Sequence, residues 1–433
     1  MTGSAAAPTS PRMVAEPPEQ RRTLAVLLFA QILSGAGLAA GITVGALLAE
    51  QMLGSSSWSG LPTVFFTIGS AAAAVGLGRL SQRFGRRTGL SAGYLTGALG
   101  SLGAVVAAGI GNIVLLFASM LIYGAGAATN LQARYAGADL AAPSRRGRAV
   151  SIVLVATAVG AILGPNLVSA TGTFATRIGF PALAGPFMLA ALAYGSGALV
   201  LLLLLRPDPL LLARSMAADA LARSTENTDE SSGPINVAQS EQRWSWALAS
   251  GAGIMIITQL IMVAIMTITP IHIEHHGHGI DVTGIVIGAH VAGMFLPSPF
   301  SGWLVDRFGY LAIAVSAGVT LLAAGLIAAW APADSVAMLV LALVLLGLGW
   351  NLGLVSGTTL VTDAVPLATR ARTQGVVDLG IALAGAGGGL SSGLVFAATS
   401  YATLALAGGL IALLIIPIVT VGRAATPRVT RGT

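Results

Sequence analysis

The sequence predicts an all-α membrane protein whose twelve transmembrane helices form two six-helix pseudo-repeats. Three observations predict this fold class: a composition too apolar for a water-soluble surface, twelve apolar stretches of spanning length, and landmarks that recur at a fixed offset. Of the 433 residues, 55% are hydrophobic and only 9% are charged, whereas a soluble domain carries roughly 25% charged residues. The lipid bilayer is therefore expected to be the main solvent of the chain.

Each of the twelve apolar stretches is close to the roughly 20 residues that a helix needs to cross the hydrocarbon core of a bilayer. The first six stretches lie at 23–48, 58–78, 89–109, 112–133, 149–170 and 182–205. The second six lie at 245–269, 281–303, 311–331, 336–360, 375–399 and 402–421. Most of the 56 glycines fall inside these stretches, and small residues allow transmembrane helices to approach closely. The stretches are therefore expected to pack as tight bundles.

These boundaries divide the chain into five parts. The two bundles occupy residues 23–206 and 244–422, and a polar, solvated cytoplasmic linker at 207–243 joins them. Residues 1–22 lack the apolar run of a signal peptide and are expected to form a disordered cytoplasmic tail. Residues 423–433 form a second cytoplasmic tail.

The placement of arginine predicts the orientation of the bundle. All 22 basic residues are arginine, and only Arg177 falls on the opposite side from the others when the N-terminus is cytoplasmic. Basic residues accumulate in cytoplasmic loops, so both termini are expected on the cytoplasmic side of the membrane. The arginines are spread over the segments between apolar stretches and do not form a basic face with interleaved aromatic residues, so the lipid bilayer and not nucleic acid is the expected partner.

Two landmarks recur at the same offset in the two halves. Arg83-Phe-Gly follows the second stretch, and Arg307-Phe-Gly follows the eighth stretch. Asp139 and Asp363, each just past a stretch, are separated by the same distance along the chain as these two motifs. A common offset at two landmarks indicates that a six-helix unit was duplicated, which is a frequent plan among transporters.

The loops around these landmarks, GRLSQRFGRR from Gly78 and GWLVDRFG from Gly302, resemble the signature loops of the major facilitator superfamily. The resemblance covers almost the whole chain and implies a transporter that works by alternating access and has no enzymatic activity. In that family an acidic residue of the loop helps to latch the cytoplasmic side. The second loop keeps this acid as Asp306, but the first loop has Gln82, which implies a weaker or differently built N-terminal latch.

Methionine and histidine pairs lie on the seventh and eighth predicted helices. Met262 and Met266 are four residues apart, as are His290 and Met294, so each pair lies on one helical face. Thioether sulfur and imidazole nitrogen are ligands that suit Cu(I). Methionines at this spacing are also common core residues, and a buried histidine can be held by a hydrogen bond between helices. The residues alone leave both interpretations open.

On these two helices the pattern resembles the CcoA-like copper importers of the same superfamily. The resemblance implies that Met262, Met266, His290 and Met294 bind copper, which crosses a bacterial inner membrane as Cu(I) for the assembly of cytochrome c oxidase. Copper would be the transported substrate, no cofactor would be bound permanently, and a cytoplasmic copper chaperone or exporter would be a partner. The membrane potential favours the entry of a monovalent cation by about 2.3 kcal/mol per 100 mV.

The other four histidines cluster in the segment 271–281, which the predicted topology places in an external loop. They are His272, His275, His276 and His278. Short histidine-rich tracts are typical of metal-binding segments, so the cluster is a candidate for the capture of external copper or zinc. The alternative is a polar loop that titrates near pH 6 to 7.

Polar residues inside the spans mark further candidate sites, because polarity is costly in a bilayer. Arg134 and Asp139 are predicted to form a structural salt bridge. Asp378 is either a proton-coupling carboxylate, a charge at a helix end or a partner for a loop arginine. The candidate coupling or gating residues are Asp378, Asp306, Arg307, Arg83, Arg134 and Asp139. Intramembrane amides lie at Gln31, Asn130, Gln132, Asn166, Gln259 and Asn351.

Two other functions remain open. The segment Gly160-Ala-Ile-Leu-Gly164-Pro165 of the fifth stretch resembles a motif of proton-coupled drug antiporters. An exporter of drugs or small metabolites is therefore the alternative to a copper importer. A membrane receptor or assembly factor that binds metal without transporting it is the third possibility.

Overall fold

A computed structural model describes residues 16–39, 44–54, 61–226, 237–276, 280–332 and 335–424. Within these ranges the chain is almost entirely helical and contains no β-strand. The α-helices are α1 Glu19–Ala39, α2 Gly45–Leu53, α3 Leu61–Phe84, α4 Arg86–Ile110, α5 Ile113–Ala138, α6 Arg146–Asn166, α7 Val168–Arg177, α8 Gly185–Leu204, α9 Pro209–Glu226, α10 Val237–His275, α11 Ile280–Phe295, α12 Ser298–Phe308, α13 Tyr310–Trp330, α14 Val336–Ala364, α15 Arg370–Ala398, α16 Tyr401–Ala412 and α17 Ile415–Ala424.

These helices form two bundles of six spans each, which we call the N-half (α1–α8) and the C-half (α10–α17). The first, fifth, eighth and twelfth predicted spans each consist of two consecutive helices, and each of the remaining spans is a single helix. Ten helical stretches of the described residues are long and apolar enough to cross a membrane. The predicted all-α membrane fold is confirmed.

One end of the bundle carries most of the arginines, and we call it the arginine-rich end. It comprises the connections around residues 79–87, 139–148, 206–223, 306–309 and 363–372. At this end the second span of each half packs against the fifth span of the other half: α3 lies on α15, and α12 lies on α6.

Glycine makes both of these packing contacts possible. A Cβ added to Gly78 of α3 would lie 2.9 Å from Cα of Gly375 in α15, and one added to Gly302 of α12 would lie 2.5 Å from the carbonyl oxygen of Gly147 in α6. Both distances are shorter than a side-chain carbon tolerates. Gly78 and Gly302 are separated by the same offset as the two Arg-Phe-Gly motifs, so the repeat in the sequence is also a repeat of the contact between the halves.

Helices occupy part of the predicted linker, and most of the α9 side chains whose burial the structure describes are exposed. Residues 209–226 form α9, and α10 begins at Val237, inside the predicted linker. The Asp208 carboxylate accepts from the backbone N–H groups of Leu210 and Leu211, so it caps α9. Residues 19–22 of the predicted disordered tail belong to α1. Residues 1–15, 227–236 and 425–433 lie outside the described ranges.

Candidate functional site

At the arginine-rich end, Asp306 of the C-half caps a helix of the N-half. Its Oδ1 accepts from the backbone N–H of Gly147 at 2.8 Å, and its Oδ2 accepts from that of Arg148 at 3.0 Å. These N–H groups lie in the first turn of α6, where the helix dipole favours a negative charge. The acidic residue of the second signature loop therefore joins the two halves.

Gln82 makes the corresponding contact in the other direction. Its Oε1 accepts from the backbone N–H groups of Ala371 at 2.8 Å and Arg372 at 3.2 Å. Its Nε2 donates to the carbonyl oxygens of Ala368 at 2.7 Å and Leu367 at 3.2 Å. The N-terminal latch is thus built differently, as the resemblance implied, because a neutral amide accepts at the helix start and also donates to the preceding loop.

The predicted salt bridge between Arg134 and Asp139 is wrong. Asp139 pairs with Arg86 instead, at 2.8 Å between Oδ2 and Nε, and lies 3.9 Å from a guanidinium nitrogen of Arg370 in the C-half. Residues five apart on a helix are separated by about 140° around its axis. Arg134 and Asp139 therefore leave α5 in different directions, and Arg134 is directed at the C-half.

Arg134 and Asp378 form a buried ion pair between the halves, with 2.7 Å between Nη2 and Oδ1. Nε of Arg134 donates to Oγ1 of Thr358 at 2.9 Å, and the Tyr135 hydroxyl donates to Oδ1 of Asp378 at 3.2 Å. The Met255 sulfur lies 3.5 Å from Oγ1 of Thr358. We call these five residues the ion-pair cluster, and all of them are buried.

Asp378 is therefore neither at a helix end nor paired with a loop arginine. It lies two turns into α15, about 12 Å from the start of the helix, and is 3% exposed. Among the described residues its Oδ2 has no hydrogen-bond partner. A coupling role for Asp378 stays a prediction.

In the part of the chain that the structure describes, the hydrogen bonds and ion pairs between the halves lie at the arginine-rich end or in the ion-pair cluster. Besides the contacts already given, Arg146 pairs with Asp363, and Arg86 donates to Gln374. The barrier between the halves is therefore at this end of the molecule.

A group of uncharged polar side chains lies about one helical turn deeper in the N-half. Asn130 precedes Arg134 by four residues on α5, so both lie on the same helical face. Gln31 of α1 donates to Oδ1 of Asn130 at 3.1 Å and to Oγ1 of Thr157 at 3.0 Å. Thr157 of α6 donates to the same Oδ1 at 3.1 Å. Tyr94 of α4 donates to Oε1 of Gln31.

The C-half carries a matching pair at a similar depth. Gln259 follows Met255 by four residues on α10, and its Oε1 accepts from Nε1 of Trp350 at 2.7 Å. The ring of Phe295 meets the Trp350 ring edge-on, with 5.8 Å between their centroids. Gln259 is only partly buried.

We call Gln31, Asn130, Thr157, Gln259 and Trp350 the neutral layer, since none of them carries a charge. The sequence analysis identified the three amides as intramembrane polar residues, but no sequence signal indicated Thr157 or Trp350.

His290 lies on α11 and packs against α14. It is fully buried, and its Nδ1 lies 2.8 Å from the carbonyl oxygen of Leu343. Gly347 of α14 admits this close approach, since a Cβ there would lie 2.5 Å from the carbonyl oxygen of His290. Nε2 of His290 has no partner among the described residues. A hydrogen bond between helices thus accounts for one of the two ring nitrogens.

Met262 lies on the face of α10 that also packs against α14. Met255 and Thr258 on this face fit against Gly357 and Gly353 of α14, and Met262 continues the face one turn further. Met262 is buried, and Met266 and Met294 are partly buried. Met262 and His290 therefore lie on faces that pack against the same helix, and the copper ladder stays a prediction.

Two of the four clustered histidines lie on a helix and not in the predicted loop. His272 and His275 belong to the last turn of α10, which continues through Pro270. The His272 ring stacks on Tyr401 at 4.1 Å and lies 4.4 Å from the ring of His276. His278 lies outside the described residues. Within the described ranges, no three His, Asp or Glu side chains are placed to hold a metal ion.

Arg83 and Arg307 are exposed at the arginine-rich end. The guanidinium of Arg83 lies 5.0 Å from the centre of the Phe84 ring, and that of Arg307 lies 6.0 Å from the centre of the Phe308 ring. Each signature loop thus repeats a cation–π contact at its surface. Neither arginine forms an ion pair within the ranges that the structure covers.

Two pseudo-symmetric bundles that are joined at one end by reciprocal helix caps are typical of a membrane transporter. The Major Facilitator Superfamily matches residues 27–279 and 251–432, and the chain belongs to this superfamily. It is a multi-pass membrane transporter, and the proteins of this family are typically not enzymes.

Three relatives extend along most of the chain. The MFS-type transporter YdeG of Bacillus subtilis (strain 168) is 54% identical over 410 residues, which is 93% of this chain and 92% of YdeG. YddS of the same organism is 51% identical over 399 residues, covering 92% and 90% of the two chains. The riboflavin transporter RfnT of Brucella anthropi is 31% identical over 360 residues, covering 83% and 85%. These relatives give no support to a copper-importer subtype.

Solved structures share the fold. The human organic anion transporter MFSD10 superposes with a TM-score of 0.72 at 16% identity, covering 93% of this chain and all of MFSD10. The transporter FucP in its outward conformation gives a TM-score of 0.63 at 16% identity, covering 93% and 98%.

Proposed function

We propose that the protein carries a small, uncharged organic metabolite across the bacterial cytoplasmic membrane by alternating access. The observation that carries this proposal is the neutral layer. It lies about one helical turn from the ion-pair cluster that closes the pathway, and it draws side chains from both halves. A solute bound there would contact both halves, which is what a substrate must do to couple their movement.

The chemistry of the layer suits a neutral solute. Amides, a hydroxyl and an indole offer donors and acceptors, but no charge to balance an ion. The nearest charges, on Arg134 and Asp378, neutralise each other. Aromatic faces with a few placed polar groups are common in sites for small molecules. The similarity to RfnT supports a flat, hydrogen-bonding solute such as riboflavin.

The arginine bias supports an orientation with the arginine-rich end and both termini in the cytoplasm. In that orientation the structure is closed to the cytoplasm, and the neutral layer would be reached from outside. Proton coupling through Asp378 belongs to the same proposal. Protonation of Asp378 would remove the charge that holds Arg134 and so weaken the contact between the halves.

Flux of radiolabelled riboflavin into proteoliposomes tests the proposal. We expect saturable uptake by the wild type and a loss of about tenfold or more in Gln259→Leu and Asn130→Leu, because each leaves a buried partner without its hydrogen bond. Thr320→Val, which changes a side chain on the outer side of α13, is the matched control and should leave uptake unchanged. Equal uptake by the layer variants and the wild type would contradict the assignment of the site.

Copper import is the second candidate, and one observation favours it: the buried His290 keeps one ring nitrogen without a partner in the described structure. Met294 lies on the same helix, and Met262 lies against the same α14. Radioactive copper accumulation would be lost in Met262→Ala and His290→Ala and kept in Asp378→Asn if this candidate is right. A cytoplasmic copper chaperone or exporter would then receive the ion. Riboflavin flux without copper flux would remove this candidate.

A further inference from the structure

We infer that the linker helix α9 is a clamp that holds the two halves together at the arginine-rich end, with Arg214 as the residue that spans them. This role goes beyond the proposed substrate and does not depend on which solute is carried. It gives the segment between the halves a mechanical part in the transport cycle.

The start of α9 is fixed to the N-half. Oδ2 of Asp208 accepts from the backbone N–H of Arg87 at 2.7 Å, at the start of α4. Gly85 makes room for this carboxylate: its φ is 90°, and a Cβ there would overlap Oδ2 of Asp208. Leu210, in the first turn of α9, is fully buried. The helix is thus attached by a hydrogen bond from a backbone N–H to the Asp208 carboxylate and by a buried apolar side chain.

One turn further along α9, Arg214 reaches both halves. Its Nη1 donates to the carbonyl oxygen of Gln82 in the N-half at 2.9 Å. Its Nε donates to the carbonyl oxygen of Leu367 in the C-half at 3.2 Å. The planar guanidinium suits this geometry, since its donors point in fixed directions and can bond two acceptors at once.

Arg214 also joins the Gln82 cap to the linker. The carbonyl oxygen of Leu367 accepts from both Nε of Arg214 and Nε2 of Gln82. Leu367 lies in the connection between α14 and α15, so it must move away from α3 when the halves part at this end. Both hydrogen bonds then break together. Because α9 stays fixed at Asp208, the clamp exists only in the closed arrangement and favours it.

The test measures how often the arginine-rich end opens. The chain contains no cysteine, so a single introduced cysteine can report on its own site. Val150→Cys places a thiol on α6, where the side chain is fully buried against the core of the C-half. Alkylation of this thiol by a maleimide in the purified, full-length protein should be slow, and its rate should follow the open fraction.

We expect Arg214→Ala to raise the alkylation rate of Val150→Cys by about tenfold, since a hydrogen bond from a charged donor is lost. Arg214→Lys, which keeps the charge but lacks the planar fork, should recover only part of the protection. Arg206→Ala removes an exposed arginine just before the linker and is the matched control, with no change expected.

A second thiol separates clamp loss from general loosening. Ala314→Cys lies fully buried within the C-half core near the same end, and its alkylation should not change in Arg214→Ala. An unchanged rate at Val150→Cys would overturn the clamp, and so would an equal rise at both thiols. Riboflavin or copper flux plays no part in this readout, so the clamp and the proposed substrate can fail independently.

Discussion

At the scale of single residues, the pairing of buried charges decides how the halves meet. Arg134 and Asp378 come from opposite halves and are far apart in the chain, yet each is the other's only ion-pair partner in the described structure. Removing one member of a buried pair leaves an uncompensated charge, which costs more than losing the pair as a whole. Whether a double substitution restores the stability lost in the single variants is therefore informative.

We expect Arg134→Met and Asp378→Leu each to lower the stability of the closed protein by about 3–5 kcal/mol. The double variant should recover most of this loss, because neither charge is then left alone in the interior. Thermal unfolding in detergent measures both effects. Arg145→Ala breaks the exposed pair with Glu16 and is the control, with an expected change of less than about 1 kcal/mol. A double variant no more stable than the single ones would contradict the pairing.

The two helix caps give a second prediction for single residues. Gln82→Glu keeps an acceptor for Ala371 but turns a donor into a carboxylate that faces the carbonyl oxygens of Leu367 and Ala368. This change should raise alkylation of Val150→Cys, because two hydrogen bonds become repulsive contacts. Asp306→Glu, which keeps the charge at the other cap, is the comparison and should have the smaller effect. An alkylation rate that does not change in Gln82→Glu would show that the closed end does not need the amide.

At the scale of helices, the contact between α3 and α15 depends on where glycine lies along α3. A Cβ at Gly78 would meet the carbonyl oxygen of Ala371 at 2.8 Å, whereas one at Gly76 would meet no atom within 4 Å. The two glycines lie close together on one helix, and they differ only in which side of the helix they occupy. They form a matched pair for testing the closed interface.

We expect Gly78→Ala to hold the arginine-rich end apart and to raise alkylation of Val150→Cys severalfold, while Gly76→Ala leaves it unchanged. The same distinction should appear in solute flux, since a transporter that cannot close cannot complete its cycle. Both substitutions raise helix propensity by the same amount, so propensity cannot explain a difference between them. Equal labelling of the two variants would show that α3 and α15 do not pack closely in the membrane.

The helices also show how far the sequence could predict the structure. Apolar length and the common offset of the landmarks predicted the spans, the two halves and the correspondence of Gln82 with Asp306. Arg134 was predicted to pair with Asp139 because the two are close in the chain. Its partner is instead set by the rotation of its helix and by the packing of the two halves. The seventh stretch was predicted to end at residue 269, before the histidines, but α10 continues through Pro270 to His275. The polar composition of the linker gave no sign that part of it forms the helix α9.

At the scale of the whole molecule, the proposed alternating-access cycle makes this structure the state that is closed at the arginine-rich end. Opening at the arginine-rich end requires the ion-pair cluster, both helix caps and the Arg214 bridge to break together, since all of them cross between the same two rigid halves. The neutral layer lies just beyond these contacts, so a solute bound there is positioned to affect whether they form. The side of the membrane to which this state is closed depends on the orientation of the protein in the membrane.

Orientation is testable with reporters fused to the full chain. With the arginine-rich end in the cytoplasm, green fluorescent protein at the C-terminus should fluoresce and alkaline phosphatase there should be inactive. Alkaline phosphatase inserted after Gly179, beside Arg177 at the other end, should be active, because this end faces the periplasm or the exterior. The reverse pattern would mean that the structure is closed to the outside. The Arg134–Asp378 pair would then be an external barrier, and the neutral layer would be loaded from the cytoplasm.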